Sequence, residues 1–139
     1  MQMNDIETAL RDAYAARAAN NATETARVFG PNATFRGVGH PAFCGAVATH
    51  VGSALLPALE KLCEVFRASA FSVTSMIIDG NRAAVICDAA FEYTPTGESV
   101  SLELAHFWTF QDGHAIEFVE FFDTAHVAHI MAKVPSRTV

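Results

Sequence analysis

The chain has 139 residues, of which 51% are hydrophobic and 17% charged: enough for one domain with a real core, and short for two ordinary ones. Nine Lys and Arg against fifteen Asp and Glu give a net charge of -6, scattered rather than blocked, which argues against a phosphate-binding surface and against nucleic acid as a partner. Cys44, Cys63 and Cys87 are an odd number without C-x-x-C spacing, so neither a disulfide framework nor a zinc site is indicated and a reducing cytoplasm fits.

The opening "MQMNDIETALRDAY" carries acids where a signal peptide needs a basic segment and an apolar run. No stretch approaches a membrane span, so a soluble, cytoplasmic protein with no membrane partner is expected. Asn4 or Asp5 is placed to cap a helix whose Ile6, Leu10, Ala13 and Tyr14 recur at helical spacing to about Ala19. "NNAT" interrupts it, and a short second helix, "ETARVF", ends at Gly30-Pro31. "NATFRGV" then alternates like a strand and leads into the Gly- and Pro-rich loop "GVGHPAFCG". From about Ala46 to Arg67, Val47, Val51, Leu55, Leu59, Leu62 and Phe66 predict an amphipathic helix, with Pro57 a kink or break.

Four strands follow, near residues 70–78, 82–94, 99–110 and 114–122, separated by the hairpin turn sequences "DGN", "TPTG" and "QDG". "TAHVAHIMAKV" predicts a last short helix, with Asp123 as its cap and "PSRT" loose beyond it. One domain over 1–139 with an ordered core of about 4–132 is expected. Helices first and a meander afterwards is the α+β pattern, with helices covering one face of a curved antiparallel sheet. The Asn21 and Asn32 sequons are chance matches in a chain that stays inside the cell.

If "QDG" is the last hairpin loop, Phe110 pairs near His114 and the even-numbered residues of both strands share a face. That face reads Leu102, Leu104, His106, Trp108 and Phe110, then Ile116, Phe118, Glu120 and Phe122. The other, with Glu103, Ala105, Phe107, Thr109, Ala115, Glu117, Val119 and Phe121, suits a partner subunit or solvent. His106 falls opposite Phe118 and diagonal to Glu120, close enough to share a proton.

The order of elements resembles the nuclear transport factor 2-like superfamily, and within it the SnoaL-like polyketide cyclase group. The resemblance rests on "FGPNATF", on "CGAVATHVG" before the long helix, and on "HFWTFQDGHAIEFVEFFD". It implies a cone-shaped curved sheet with the N-terminal helices on its concave face, and a homodimer formed through the outer face. In SnoaL-like cyclases a His and an acid on the last long strands serve an aldol cyclisation, and His106 and Glu120 fall at similar places. In the ketosteroid isomerases of the same superfamily a helix-1 Tyr and a strand acid form an oxyanion hole. Tyr14 and His106 fall there, but the position of those isomerases' base on the first strand is Gly37 here. The Asp-Arg-Asp set of limonene epoxide hydrolases is not evident.

A His and Glu pair in an apolar cavity can hold one mobile proton near neutral pH and remove a proton α to a carbonyl, while a Tyr hydroxyl stabilises the enolate. His106, Glu120 and Tyr14 are thus the candidate catalytic residues. Phe35, His40, Phe91, Leu104, Trp108, Phe118 and Phe122 are the candidate ligand contacts, His50 reads as a rim residue, and the ligand as small and apolar. No cofactor is expected. His126 and His129 are three apart on a helix but lack a carboxylate at fitting spacing, so no metal site is expected. The alternative function is a non-catalytic ligand-binding or dimerisation module in which the same pair only satisfies itself.

Overall fold

A computed structural model of the protein describes residues 3–132. Helix α1 (Met3–Ala18) places Asn4 and Asp5 inside its first turn rather than ahead of it. Its buried stripe is Ile6, Leu10, Ala13, Tyr14 and Arg17, the i, i+3, i+4 spacing of a helix laid on a core. Asn20 ends the helical run at φ 58, a left-handed conformation that asparagine tolerates. Its amide accepts from Ala68 N–H (2.8 Å) and donates to Ala68 O (3.0 Å), which ties the end of α1 to a sheet edge. Asn21 caps α2 (Ala22–Ala26), accepting from Glu24 N–H at 3.0 Å. That helix sits earlier than "ETARVF" because Phe29 already opens strand β1 (Phe29–Gly37).

The expected helix from Ala46 is shorter. Strand β2 (Thr49–Val51) pairs antiparallel with β1, Phe35 opposite His50. A 3-10 turn (Gly52–Ala54) follows, and only then α3 (Leu55–Val65). Gly52 at φ 60 breaks any helix that Val47 and Val51 would begin. Pro57 then lies in the first turn of α3, where its missing N–H leaves no bond unmade.

Strands β3 (Phe66–Asp79), β4 (Arg82–Tyr93), β5 (Glu98–Gln111) and β6 (His114–Phe121) form the meander, and α4 (Thr124–Ala132) closes the described chain. Asp123 Oδ1 accepts from His126 N–H at 3.0 Å and so caps α4. The expected continuation of α4 through Lys133 and Val134, and the "PSRT" tail, fall outside the described residues. The curved, unclosed sheet runs β2-β1-β6-β5-β4-β3, with β1 added parallel to β6. Two bulges bend the edge strand β3, where Ser69 and Thr74 hydroxyls bond to Ala90 O and Ile86 O, both at 3.1 Å. One core joins Ile6, Leu10 and Tyr14 of α1 to Val85, Leu104, Trp108 and Phe110 of the sheet.

The last hairpin corrects the expected register. Its loop has two residues, Asp112 (φ 51) and Gly113 (φ 82), the paired positive angles of a type I′ turn, so Gln111 faces His114. One residue less in the loop would turn the whole of β6 inside out. A bulge between Glu117 and Ala115 restores the faces. Ala115, expected on the outer face, is fully buried, and Ile116, expected inside, is exposed. Beyond the bulge Trp108 lies opposite Phe118, and His106 lies directly opposite Glu120 rather than diagonal to it.

The bulge makes neighbouring positions respond oppositely. Ile116→Lys is expected to stay within about 0.5 kcal/mol of the parent in urea unfolding, while Ala115→Leu costs about 1–3 kcal/mol by overpacking. Equal costs would contradict this register.

Candidate active site

The site is built where α1 crosses the inner face of β5 and β6. Tyr14 comes from the buried stripe of α1, whose end is fixed by Asn20 and by Arg17, whose Nη2 donates to Phe66 O at 2.9 Å. Trp108 and His106 are inward neighbours two apart on β5, and Glu120 faces His106 from β6. Trp108 Nε1–H donates to Tyr14 Oη at 3.0 Å, Tyr14 Oη lies 2.6 Å from His106 Nδ1, and His106 Nε2 lies 2.7 Å from Glu120 Oε2.

Donor inventory gives this run a direction. Indole can only donate, so Tyr14 accepts from Trp108 and has its own proton for Nδ1. Nδ1 is then the acceptor, and the hydrogen on Nε2 points at the carboxylate. Both imidazole nitrogens are thereby engaged. His106 is buried at 3% exposure, whereas the Glu120 side chain is 19% exposed and is the end of the run that reaches open space. Among the described residues no protein group donates to Glu120 Oε1.

The surroundings are aromatic. Phe118 lies 4.7 Å from the His106 ring, 4.6 Å from Trp108 and 4.6 Å from Phe35, centroid to centroid. They line a partly open cavity of about 90 Å³. Burial, and after it the neighbouring Cys87, holds the Tyr14 hydroxyl well above the ordinary phenol range against the Trp108 hydrogen bond. Burial likewise pushes the Cys87 thiol up to about 12, opposed by its hydrogen bond to Tyr14.

Of the expected residues, Tyr14, His106 and Glu120 come together in one hydrogen-bonded run. Phe35, Phe91, Leu104, Trp108, Phe118 and Phe122 line the cavity. His40 does not: it lies exposed on the loop before β2, its Nδ1 accepting from Ala42 N–H at 3.1 Å. A backbone N–H of its own turn satisfies that imidazole locally. His50 is half-buried on β2, 6.5 Å from the Phe35 ring. Phe29, Phe71 and Arg17 line the cavity without having been expected there. The signal for Arg17 was its place three residues after Tyr14, on the same helix face.

A family model for the SnoaL-like domain matches residues 10–118, more than half of the chain. The chain belongs to the SnoaL-like family. Among curated proteins none matches this SnoaL-like chain. Several solved structures share its fold. A nuclear transport factor 2-like protein of unknown function from Burkholderia pseudomallei has a TM-score of 0.79 at 20% identity, covering 96% of this chain and 100% of that one. A candidate isomerase from Bacillus subtilis has a TM-score of 0.84 at 14% identity, over 98% and 100%. TerC, co-crystallised with polyporic acid, has a TM-score of 0.77 at 20% identity, over 93% and 98%. At such identities the likeness shows the fold alone.

The burial of Tyr14 and Cys87 sets an alkaline limit. Both groups are neutral when folded, and their pKa values are raised above the unfolded ones, 9.0 for the thiol and 10.0 for the phenol. The stability they contribute is fully present below the unfolded values and lost as pH climbs towards the folded ones. The urea midpoint is therefore expected to fall from about pH 8 to about pH 11, and to fall less in Tyr14→Phe and Cys87→Ala. An identical fall in parent and variants would contradict that origin.

Proposed function

We propose that the cavity binds a small, mostly apolar, carbonyl-bearing molecule, and that Glu120 moves a proton on it, without a cofactor, in a cyclase or isomerase reaction. The observation that carries the proposal is a single carboxylate, hydrogen-bonded from behind by His106, at the wall of a cavity lined mainly by aromatic and aliphatic side chains. Its free oxygen takes a proton from the carbon α to the carbonyl, leaving an enolate. Returned to another carbon the proton completes an isomerisation; delivered to the alkoxide formed on ring closure it completes an aldol cyclisation.

The roles divide unevenly. Glu120 touches substrate, while His106, with both nitrogens engaged, positions it and can accept charge through the shared proton. Gly37 pairs with Glu120 across β1 and β6. The aromatic lining excludes water, which strengthens every charge interaction inside. That TerC, which shares this fold, was co-crystallised with polyporic acid supports the small-molecule reading. One observation favours the competing reading of a non-catalytic binding module: Trp108, Tyr14 and His106 are all satisfied by protein partners, with Glu120 taking the last hydrogen of the run.

A ligand retained through purification and identified by mass spectrometry supplies the assay, exchange of its α-hydrogen with deuterated solvent followed by NMR. Glu120→Gln and His106→Ala are each expected to slow exchange roughly 100-fold or more. Unchanged exchange in both would sink the proton-transfer reading and leave the module.

We also propose that the outer sheet face joins two copies of the chain. Ile77, Ala84, Phe107 and Val119 form a row across four strands, with Ile86, Ala105 and Phe121 beside it. Phe107 and Phe121 are about two-fifths exposed and their rings meet edge to face at 5.8 Å. An apolar patch of this kind is typical of an interaction surface. Phe107→Asp is expected to convert a dimer to a monomer in size-exclusion chromatography with light scattering. A parent protein that is monomeric by the same measurement would refute the proposal.

A further inference from the structure

We infer that Arg17 gives the cavity an anion subsite, so that its ligand is an apolar molecule bearing a planar, delocalised oxyanion: a carboxylate or an enolised dicarbonyl. Arg17 lies one helical turn beyond Tyr14, lines the same cavity and is buried to 7% exposure. Its guanidinium donates to two neutral oxygens, Phe66 O at 2.9 Å and Asn20 Oδ1 at 3.2 Å, and its Cζ lies 5.0 Å over the Phe91 ring. No carboxylate is its partner: the ion pairs among the described residues are Arg11 with Glu7, Arg27 with Glu24 and His106 with Glu120.

A buried cation is ordinarily paired, because removing it from water is costly. Tying α1 to β3 needs only a donor, and a neutral amide would serve. The Cys63 thiol is a further hydrogen-bond partner and the Glu120 carboxylate a more distant opposite charge, but neither pairs with the guanidinium as a carboxylate at ion-pair distance would, so the positive charge and the remaining N–H donors are left for something else in the cavity. A guanidinium presents paired N–H groups whose geometry matches the two oxygens of a carboxylate or an enolised dicarbonyl. Glu120 is the other formal charge of the lining and is committed to His106. An oxyanion held by Arg17 keeps the ligand's negative end away from that carboxylate and presents a neighbouring C–H to it. The inference rests on the proposed use of the cavity but is tested at equilibrium, without turnover.

Trp108 is the chain's only tryptophan and lines the cavity, so its fluorescence reports occupancy. The probes are 2-naphthoate and 2-naphthamide, alike in shape and different in charge. The parent is expected to bind the carboxylate about tenfold more tightly than the amide, or better, as a charge-assisted pair requires. Arg17→Met should abolish that preference while keeping the affinity for the amide. Arg17→Lys, which keeps the charge without the fork and serves where Arg17→Met does not fold, should keep only part of it. A parent that does not prefer the carboxylate, binding neither probe included, overturns the inference, as does a full preference in either variant. Lost preference in Arg17→Met with unchanged exchange in Glu120→Gln would sink the proton-transfer reading alone; the converse would sink the subsite alone.

Discussion

The interior depends on one run of hydrogen bonds, from Trp108 through Tyr14 and His106 to Glu120. Each of these polar groups sits among phenylalanines, and leaving one of them unpaired would cost about 1–3 kcal/mol. The run avoids that cost only if α1 crosses β5 at Tyr14 and only if β6 pairs so that Glu120 faces His106. A one-residue slip of β6 would point its carboxylate at solvent and a different side chain at Nε2. Fold and site therefore obey a single constraint, and the Asn20 and Arg17 contacts that fix the end of α1 act on both at once.

Much of this was legible in the sequence, for reasons that particular residues make clear. Period-two alternation from Leu102 to Phe110 determined the inner face of β5, because large apolar residues on one face of a strand leave no competing orientation. That parity alone put His106 and Glu120 on one side. The pairing itself was not legible. Ala115 and Ile116 are both apolar, so their pattern does not say which of them turns inward. The two-residue turn and the bulge each displace β6 by one residue, and together they keep the expected faces while changing every partner. A face is a property of one strand's composition; a partner depends on backbone detail that side-chain polarity does not encode.

The segment before α3 misled for the opposite reason. Val47, Val51 and Leu55 fall at helical spacing, but Thr49, His50 and Val51 are held by β1, a pairing that local periodicity does not contain. Gly52 carried the discriminating signal, since a glycine beside a β-branched residue ends strands and starts turns more readily than it continues a helix. Arg17 escaped because an arginine on a helix ordinarily sends its charge to solvent. Here the peptide oxygen of Phe66 and the Asn20 amide hold it inward, and neither can be inferred without knowing that β3 starts beside the end of α1.

The two charges of the cavity belong to different elements, Arg17 to α1 and Glu120 to β6, and the Tyr14–His106–Glu120 run connects those elements across the interior by way of β5. Tyr14 and Arg17 share one helix face, so a shift of α1 that lengthened the Tyr14–His106 bond would also move the guanidinium relative to the carboxylate. The spacing of the charges is thus set by the same short contact that fixes the imidazole and, through it, Glu120. A helix held by the buried Tyr14 hydroxyl and, at its end, by the Phe66 carbonyl and the Ala68 peptide is fixed where a ligand would need fixed points, and the aromatic walls between them adapt only by side-chain rotation. That arrangement separates recognition, which the charges supply, from volume, which the phenylalanines supply.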